Sequence, residues 1–146
     1  MIGIIMGSKS DMEIMQEAGD ILTKLGVPYD CTVASAHRDP EKVSAFAKTA
    51  AQKYKVIIAG AGKAAHLPGV IAGQTTLPVI GVPIKTSDLG GLDSLLSIVQ
   101  MPKGVPVATV AINGAQNAGI LAAQICALTD SEIAKAMAKY KESLKA

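Results

Sequence analysis

An alternation between two hydrophobic periods constrains this chain most. Short β-branched runs recur at Gly3–Met6, Tyr29–Ala34, Val56–Ala59, Val79–Val82 and Val105–Ile112, and between them apolar residues return every three or four positions. Met12, Met15, Ala18 (or Gly19), Leu22 and Leu25 form one such helical stripe, closed by Gly26 and Pro28. A second begins near Pro40, a proline suited to a first helical turn, and carries Val43, Phe46, Ala47 and Ala50. A third spans about Ala64 to Gly73, and a shorter one covers Leu92–Val99 before Pro102. Ala115–Ala127 and Ser131–Lys145 complete the series, with Asp130 or Ser131 to cap the last helix. Strands joined through helical crossovers lie parallel, and a parallel sheet needs cover on both faces. The expectation is a single α/β domain over residues 1–146, a three-layer αβα sandwich around a parallel sheet of about five strands. The extra C-terminal helix has no place in that minimal unit. It either packs on its own domain or meets another subunit.

Hydrophobic residues make up 49% of the chain but aromatics only 3%, so Ala, Val, Ile and Leu must fill the core. Few rings also means few stacking surfaces for nucleic-acid bases or a flavin. With a net charge of +2 and no basic block, nucleic acid is not an expected partner. Cys31 and Cys126 are far apart and lack metal-ligand spacing, which reads as two reduced thiols. No apolar run approaches the ~18 residues of a membrane span. The segment Met1–Met6 lacks a basic stretch and leads straight into a loop, so it reads as a first strand. A cytoplasmic location with no membrane partner is the expectation.

In a doubly wound sheet, ligands bind outside the carboxyl ends of the strands. The residues that follow the five runs are Gly7-Ser8-Lys9-Ser10-Asp11, Ser35-Ala36-His37-Arg38-Asp39, Gly60 to His66, Pro83-Ile84-Lys85 and Asn113-Gly114. Serines, glycines, an arginine and both histidines of the chain thus collect on one edge, a composition suited to a small anionic ligand. Ser8 and Ser10, with the backbone N–H groups of a helix start, can cradle a phosphate that the planar fork of Arg38 completes. The plainer alternatives are a helix cap at Ser10 or Asp11 and a surface ion pair of Arg38 with Asp39 or Glu41. His37 and His66 can each give and take a proton near neutrality. Gly60 and Gly62 allow close approach of backbone to a ligand. Acidic residues are sparse, so no divalent metal is expected, and the glycines do not form a Walker frame.

Several of these segments are long enough to carry a family resemblance. Gly7-Ser8-Lys9-Ser10-Asp11, Ser35-Ala36-His37-Arg38-x-Pro40, Ala64-Ala65-His66-Leu67-Pro68-Gly69, Leu77 to Pro83 and Gly91 to Pro102 resemble the signatures of the PurE family of purine-biosynthesis enzymes. The likeness runs from the first strand to about Leu128. It implies a flavodoxin-like sandwich assembled as a homo-octamer, working on an aminoimidazole ribonucleotide without metal or organic cofactor. The implied activity is that of a mutase, which moves a carboxyl group from the exocyclic nitrogen N5 to ring carbon C4. The nearest alternative is the family's CO2-dependent carboxylase, and outside the family a flavin-binding electron carrier. By the same resemblance, Ser8, Ser10 and Arg38 would hold the phosphate and Asp11 the ribose hydroxyls. Ser35, Ala36, Gly60, Ala61, Gly62, Lys63, Ala64, Ala65 and Leu67 would enclose the base, His37 would be the general acid/base and His66 would orient the carboxylate. Lys63 stands where the family usually has glycine. If the position needs positive φ, a lysine there costs about 1 kcal/mol or more.

Overall fold

Five parallel strands form one sheet in the computed structural model of the chain, which describes residues 1–145. They are β1 (Ile2–Met6), β2 (Tyr29–Val33), β3 (Val56–Gly62), β4 (Val79–Ile84) and β5 (Ala108–Thr109), in the spatial order β2-β1-β3-β4-β5. The helices are α1 (Met12–Lys24), α2 (Pro40–Thr49), α3 (Leu67–Ala72), α4 (Leu92–Val99), α5 (Ala115–Ala127) and α6 (Ser131–Ser143). This is the flavodoxin-like order. From β1 the chain goes first to one neighbour, β2, and then crosses back to the other, β3, so the order reverses at β1 and leaves a crevice beyond its carboxyl end.

The period of two decides which side chains meet which helices. Ile2, Ile4 and Met6 share one face with Ile58, Ile80 and Val82, in the core that α1, α5 and α6 cover. Ile5, Ile57, Ala59 and Val79 point the other way, into the core under α2, α3 and α4. Ile2, Ile4, Ile5, Ile57, Ile58 and Ile80 are all fully buried, and each contributes about 1.5–3 kcal/mol relative to exposure. The sheet centre therefore dominates stability, and the strand ends beside it are held rigidly.

Capping follows the local sequence. Asp39 caps α2 by accepting from the Lys42 N–H at 3.3 Å, with Pro40 in the first turn. Asp130 caps α6 through the N–H groups of Glu132 and Ile133 at 3.0 and 3.2 Å. α1 stops at Lys24, and Gly26 takes φ +72° just beyond it. A single 3-10 turn, Lys9–Asp11, opens α1.

Several boundaries differ from the sequence reading. The run Val105–Ile112 yields only the two-residue ladder of β5, paired to Ile80 and Gly81. Its partner strand explains this. Pro83 accepts from the Asn113 N–H at 2.8 Å but has no N–H to return, so regular pairing cannot continue there. β3 and β4 run on to Gly62 and Ile84, carried by pairing between Ala61 and Pro83 and between Gly62 and Ile84. α3 starts at Leu67 rather than Ala64, because Lys63 turns the chain at φ +55° first. α6 ends at Ser143, and it packs on its own domain: Met137 and Tyr140 are buried in the α1/α5 core, with the Lys24 ammonium 5.4 Å from the Tyr140 ring centre. Among the described residues, no helix is long and apolar enough to cross a membrane.

Candidate active site

The carboxyl ends of β1 to β4 surround a cleft of about 510 Å³, a volume typical of small-molecule sites. β1 delivers Gly7 to Asp11. Buried Met6 fixes the strand end, and Gly7 donates its N–H to Gly60 O at 3.1 Å. Ser8 then caps the turn, accepting at Oγ from the Ser10 N–H (3.3 Å) and from Ser10 Oγ (2.9 Å). Asp11 closes the capping box by accepting from the Ser8 N–H at 3.0 Å. The cap of this turn is therefore Ser8, rather than the Ser10 or Asp11 that the sequence offered, and Ser8 and Ser10 line the cleft.

Asp11 is only 8% exposed, and burial pushes its carboxyl above the usual carboxylate range, against the opposing pull of the Ser8 N–H and the Arg38 charge. A carboxyl raised in the fold stabilises below the unfolded value of about 3.8 and loses that contribution as pH rises through the folded value. Asp11→Asn keeps an acceptor for Ser8, so it is expected to melt above the parent protein at pH 7, the gap closing below about pH 4. Thermal melts at the two pH values check this; a lower melting temperature at pH 7 would contradict it.

β2 delivers Ser35 to Arg38. The Arg38 N–H donates to Ser35 Oγ at 3.2 Å, and its Nη2 reaches across to Gly7 O at 3.0 Å. Among the described residues neither Asp39 nor Glu41 pairs with it. The guanidinium is instead bonded to Gly7 O at the head of the serine loop, and Arg38 lines the cleft.

β3 delivers Ala61 to His66, and here the two histidines, distant in sequence, come together. His37 Nε2 lies 2.6 Å from His66 Nδ1, with the rings nearly perpendicular at 83°. At that distance one ring donates and the other accepts, so a ring N–H lies between the two histidines at the cleft wall. Both side chains are exposed to the cleft. The contact occupies His66 Nδ1 and leaves its Nε2 for another partner.

Of the residues singled out in the sequence, Ser8, Ser10, Asp11, Ser35, Ala36, His37, Arg38, Ala61, Gly62, Lys63, Ala64, His66 and Leu67 line this one cleft. Gly60 and Ala65 do not, nor do the strand-end residues Pro83, Ile84, Lys85, Asn113 and Gly114. Gly60 lies beneath the floor, where a Cβ would come within 2.3 Å of Met15 Sδ, and Ala65 is 1% exposed in the α2/α3 core. The glycine at position 60 serves packing of α1 on the sheet. Gly7 and Thr86 complete the lining. Thr86 escaped the sequence reading because β4 is two residues longer than its β-branched run suggests. Its Oγ1 is buried and has no hydrogen-bond partner among the described residues.

Lys63 takes the left-handed conformation at φ +55°. Its ammonium meets Asp88 Oδ2 at 2.5 Å, tying the β3–α3 loop to the segment after β4. The pairing holds the Lys63 ammonium above, and the Asp88 carboxyl below, their ordinary ranges.

Known proteins carry the same pattern. The AIR carboxylase family profile matches residues 1–146. The chain is 59% identical to the N5-carboxyaminoimidazole ribonucleotide mutase of Thermotoga maritima, over 99% of this chain and 85% of that protein. It is 56% identical to the phosphoribosylaminoimidazole carboxylase of Schizosaccharomyces pombe, over 99% of this chain but 26% of that protein. The crystal structure of Treponema denticola PurE superposes with a TM-score of 0.89 at 32% identity, covering 97% of this chain and 89% of the other.

Proposed function

The chain belongs to the AIR carboxylase family, and we propose that it acts in de novo purine biosynthesis, converting N5-carboxyaminoimidazole ribonucleotide to 4-carboxyaminoimidazole ribonucleotide. The observation that carries the mutase reading is the likeness to a protein of that name over nearly the full length of both chains. The relative named as a carboxylase is matched over a small part of a much longer chain. The flavin reading finds no support in the cleft, whose described lining includes no Phe, Tyr or Trp.

The reaction needs an anchor for the phosphate, a group for the sugar and one proton moved twice. Ser8, Ser10 and Arg38 hold the phosphate: their hydroxyls and guanidinium are donors that line the same cleft, the guanidinium bonded to Gly7 O beside the serines. Asp11 takes the ribose hydroxyls as an acceptor at the start of α1. Ser35, Ala36, Ala61, Gly62, Ala64 and Leu67 form the walls around the base.

His37 supplies the acid and the base. The N5–carboxyl bond breaks, its electron pair stays on nitrogen, and His37 protonates that nitrogen, leaving aminoimidazole ribonucleotide and CO2 side by side in the cleft. C4 then attacks the CO2 carbon, and His37, now the free base, takes the C4 proton. Protons and charge balance over the cycle, so no cofactor is consumed. His66 steadies the His37 ring through Nδ1 and uses Nε2 to orient the carboxylate.

Self-association, as a cytoplasmic homo-octamer, belongs to the same proposal. Leu89, Leu92, Leu96 and Val99 recur at helical spacing on and just before α4, between 45% and 66% exposed. An apolar stripe of that kind suits a subunit contact.

The test is 13C NMR with substrate labelled at the N5 carboxyl, in excess unlabelled bicarbonate. Label appearing at the C4 carboxyl is the expected result. Conversion of aminoimidazole ribonucleotide only at high CO2, with the label lost to solution, would replace the mutase by the carboxylase.

A further inference from the structure

Among the described residues that line the cleft, the permanently charged cations are Arg38 and Lys63. Arg38 stands at the serine loop, and Lys63 stands across the cleft on the loop that carries His66. The substrate proposed above has two anionic ends, a phosphate and a transferable carboxylate. If Arg38 serves the first, Lys63 is the cation at the end where the carboxyl moves.

Three features of Lys63 suit that task. Its backbone is held at φ +55°, a conformation that disfavours any side chain, and strain of this kind persists where the surroundings or a function hold it. Its ammonium is paired with Asp88, but both side chains are well exposed, at 63% and 69%. Exposed pairs of this kind are weak and readily exchanged. Its four-carbon stem can swing between partners while the backbone stays fixed.

We infer that Lys63 is a specificity residue for the transferable carboxylate, its ammonium paired with Asp88 and exchanged onto the substrate when it binds. This rests on the mutase reading for the identity of the ligand. Asp88 then acts as a competing anion, a positioning residue whose loss leaves the ammonium free.

The two partners are therefore expected to shift affinity in opposite directions. Steady-state kinetics with N5-carboxyaminoimidazole ribonucleotide, and with aminoimidazole ribonucleotide as competitive inhibitor, separates the effects, because the inhibitor lacks the carboxyl. Lys63→Gln, which removes the charge and keeps the backbone strain, should raise KM for the carboxylated substrate about tenfold, from loss of a charge-assisted bond. It should leave the inhibition constant within about twofold, and Lys63→Arg should restore most of the loss. Asp88→Asn should lower KM for the carboxylated substrate by up to about fivefold, the range set by an exposed ion pair.

Equal weakening of both nucleotides by Lys63→Gln would overturn the inference and leave Lys63 a shaper of the loop. So would weakening by Asp88→Asn, which would make the pair a clasp. Lack of turnover by the unaltered protein would instead count against the mutase reading. Calorimetric titration with 4-carboxyaminoimidazole ribonucleotide against aminoimidazole ribonucleotide then decides the role of Lys63 independently.

Discussion

Replacing His37 by asparagine is expected to lower turnover by about 10²–10⁴-fold, the usual contribution of a positioned acid or base, while KM stays within about threefold. The split follows from geometry. His37 is exposed to the cleft, so little packing is lost, and the proposed phosphate cradle, Ser8, Ser10 and Arg38, makes no bond to its ring. Asparagine is shorter, its amide standing near the His37 Nδ1 position and short of the Nε2 that makes the 2.6 Å contact, so the exposed His66 ring turns to solvent for a partner. What asparagine cannot do is carry a proton from nitrogen to carbon and back. Steady-state kinetics with a thermal melt as the folding control measures this. A variant that keeps more than about a tenth of the rate would remove His37 from the proton path.

The route from sequence to this site was short where chemistry sits in contiguous loops. Ser8 to Asp11 and Ser35 to Arg38 follow strands whose β-branched runs end cleanly, so the strand-end rule placed them at one edge before any contact was known. The meeting of His37 with His66 is a consequence of strand order. β2 and β3 flank β1 on opposite sides, and spacing along the chain carries no trace of that. The boundaries that slipped have local causes. Pro83 and the edge position limit β5, and the left-handed turn at Lys63 delays α3. Gly60 and Gly62 look alike in sequence, yet one packs under α1 and the other against Thr86 Cγ2, at 2.6 Å from where a Cβ would sit. Composition cannot separate a glycine kept for a ligand from one kept for a neighbour. Lys63 could be flagged from the family pattern, but its partner Asp88 lies 25 positions away and needed the fold to be seen.

Gly119→Val is expected to destabilise the protein by about 3 kcal/mol, the upper part of the range for overpacking a dense core. Gly119 lies in α5 where that helix crosses α1. A Cβ would sit 2.5 Å from Ile21 Cγ2, 2.9 Å from Ala18 O and 3.2 Å from Ala18 Cα. Ile21 could rotate, but the Ala18 backbone cannot yield without moving the helix. Removing glycine from a helix interior gains about 1 kcal/mol in propensity, most of it for alanine and less for a β-branched side chain, so the clash decides the sign. The expected loss corresponds to roughly 10 °C in melting temperature for a domain of this size. Gly73→Ala is the control: its φ of −70° suits alanine and the nearest atom is 3.5 Å away, so its melt should be nearly unchanged. The consequence reaches the site because α1 begins at the turn that presents Ser8, Ser10 and Asp11. Pushing α1 off α5 displaces the phosphate cradle, so KM should rise well below the melting temperature. A Gly119→Val protein that melts with the parent and keeps its KM would mean that α1 and α5 have room to part without disturbing the sheet edge they serve.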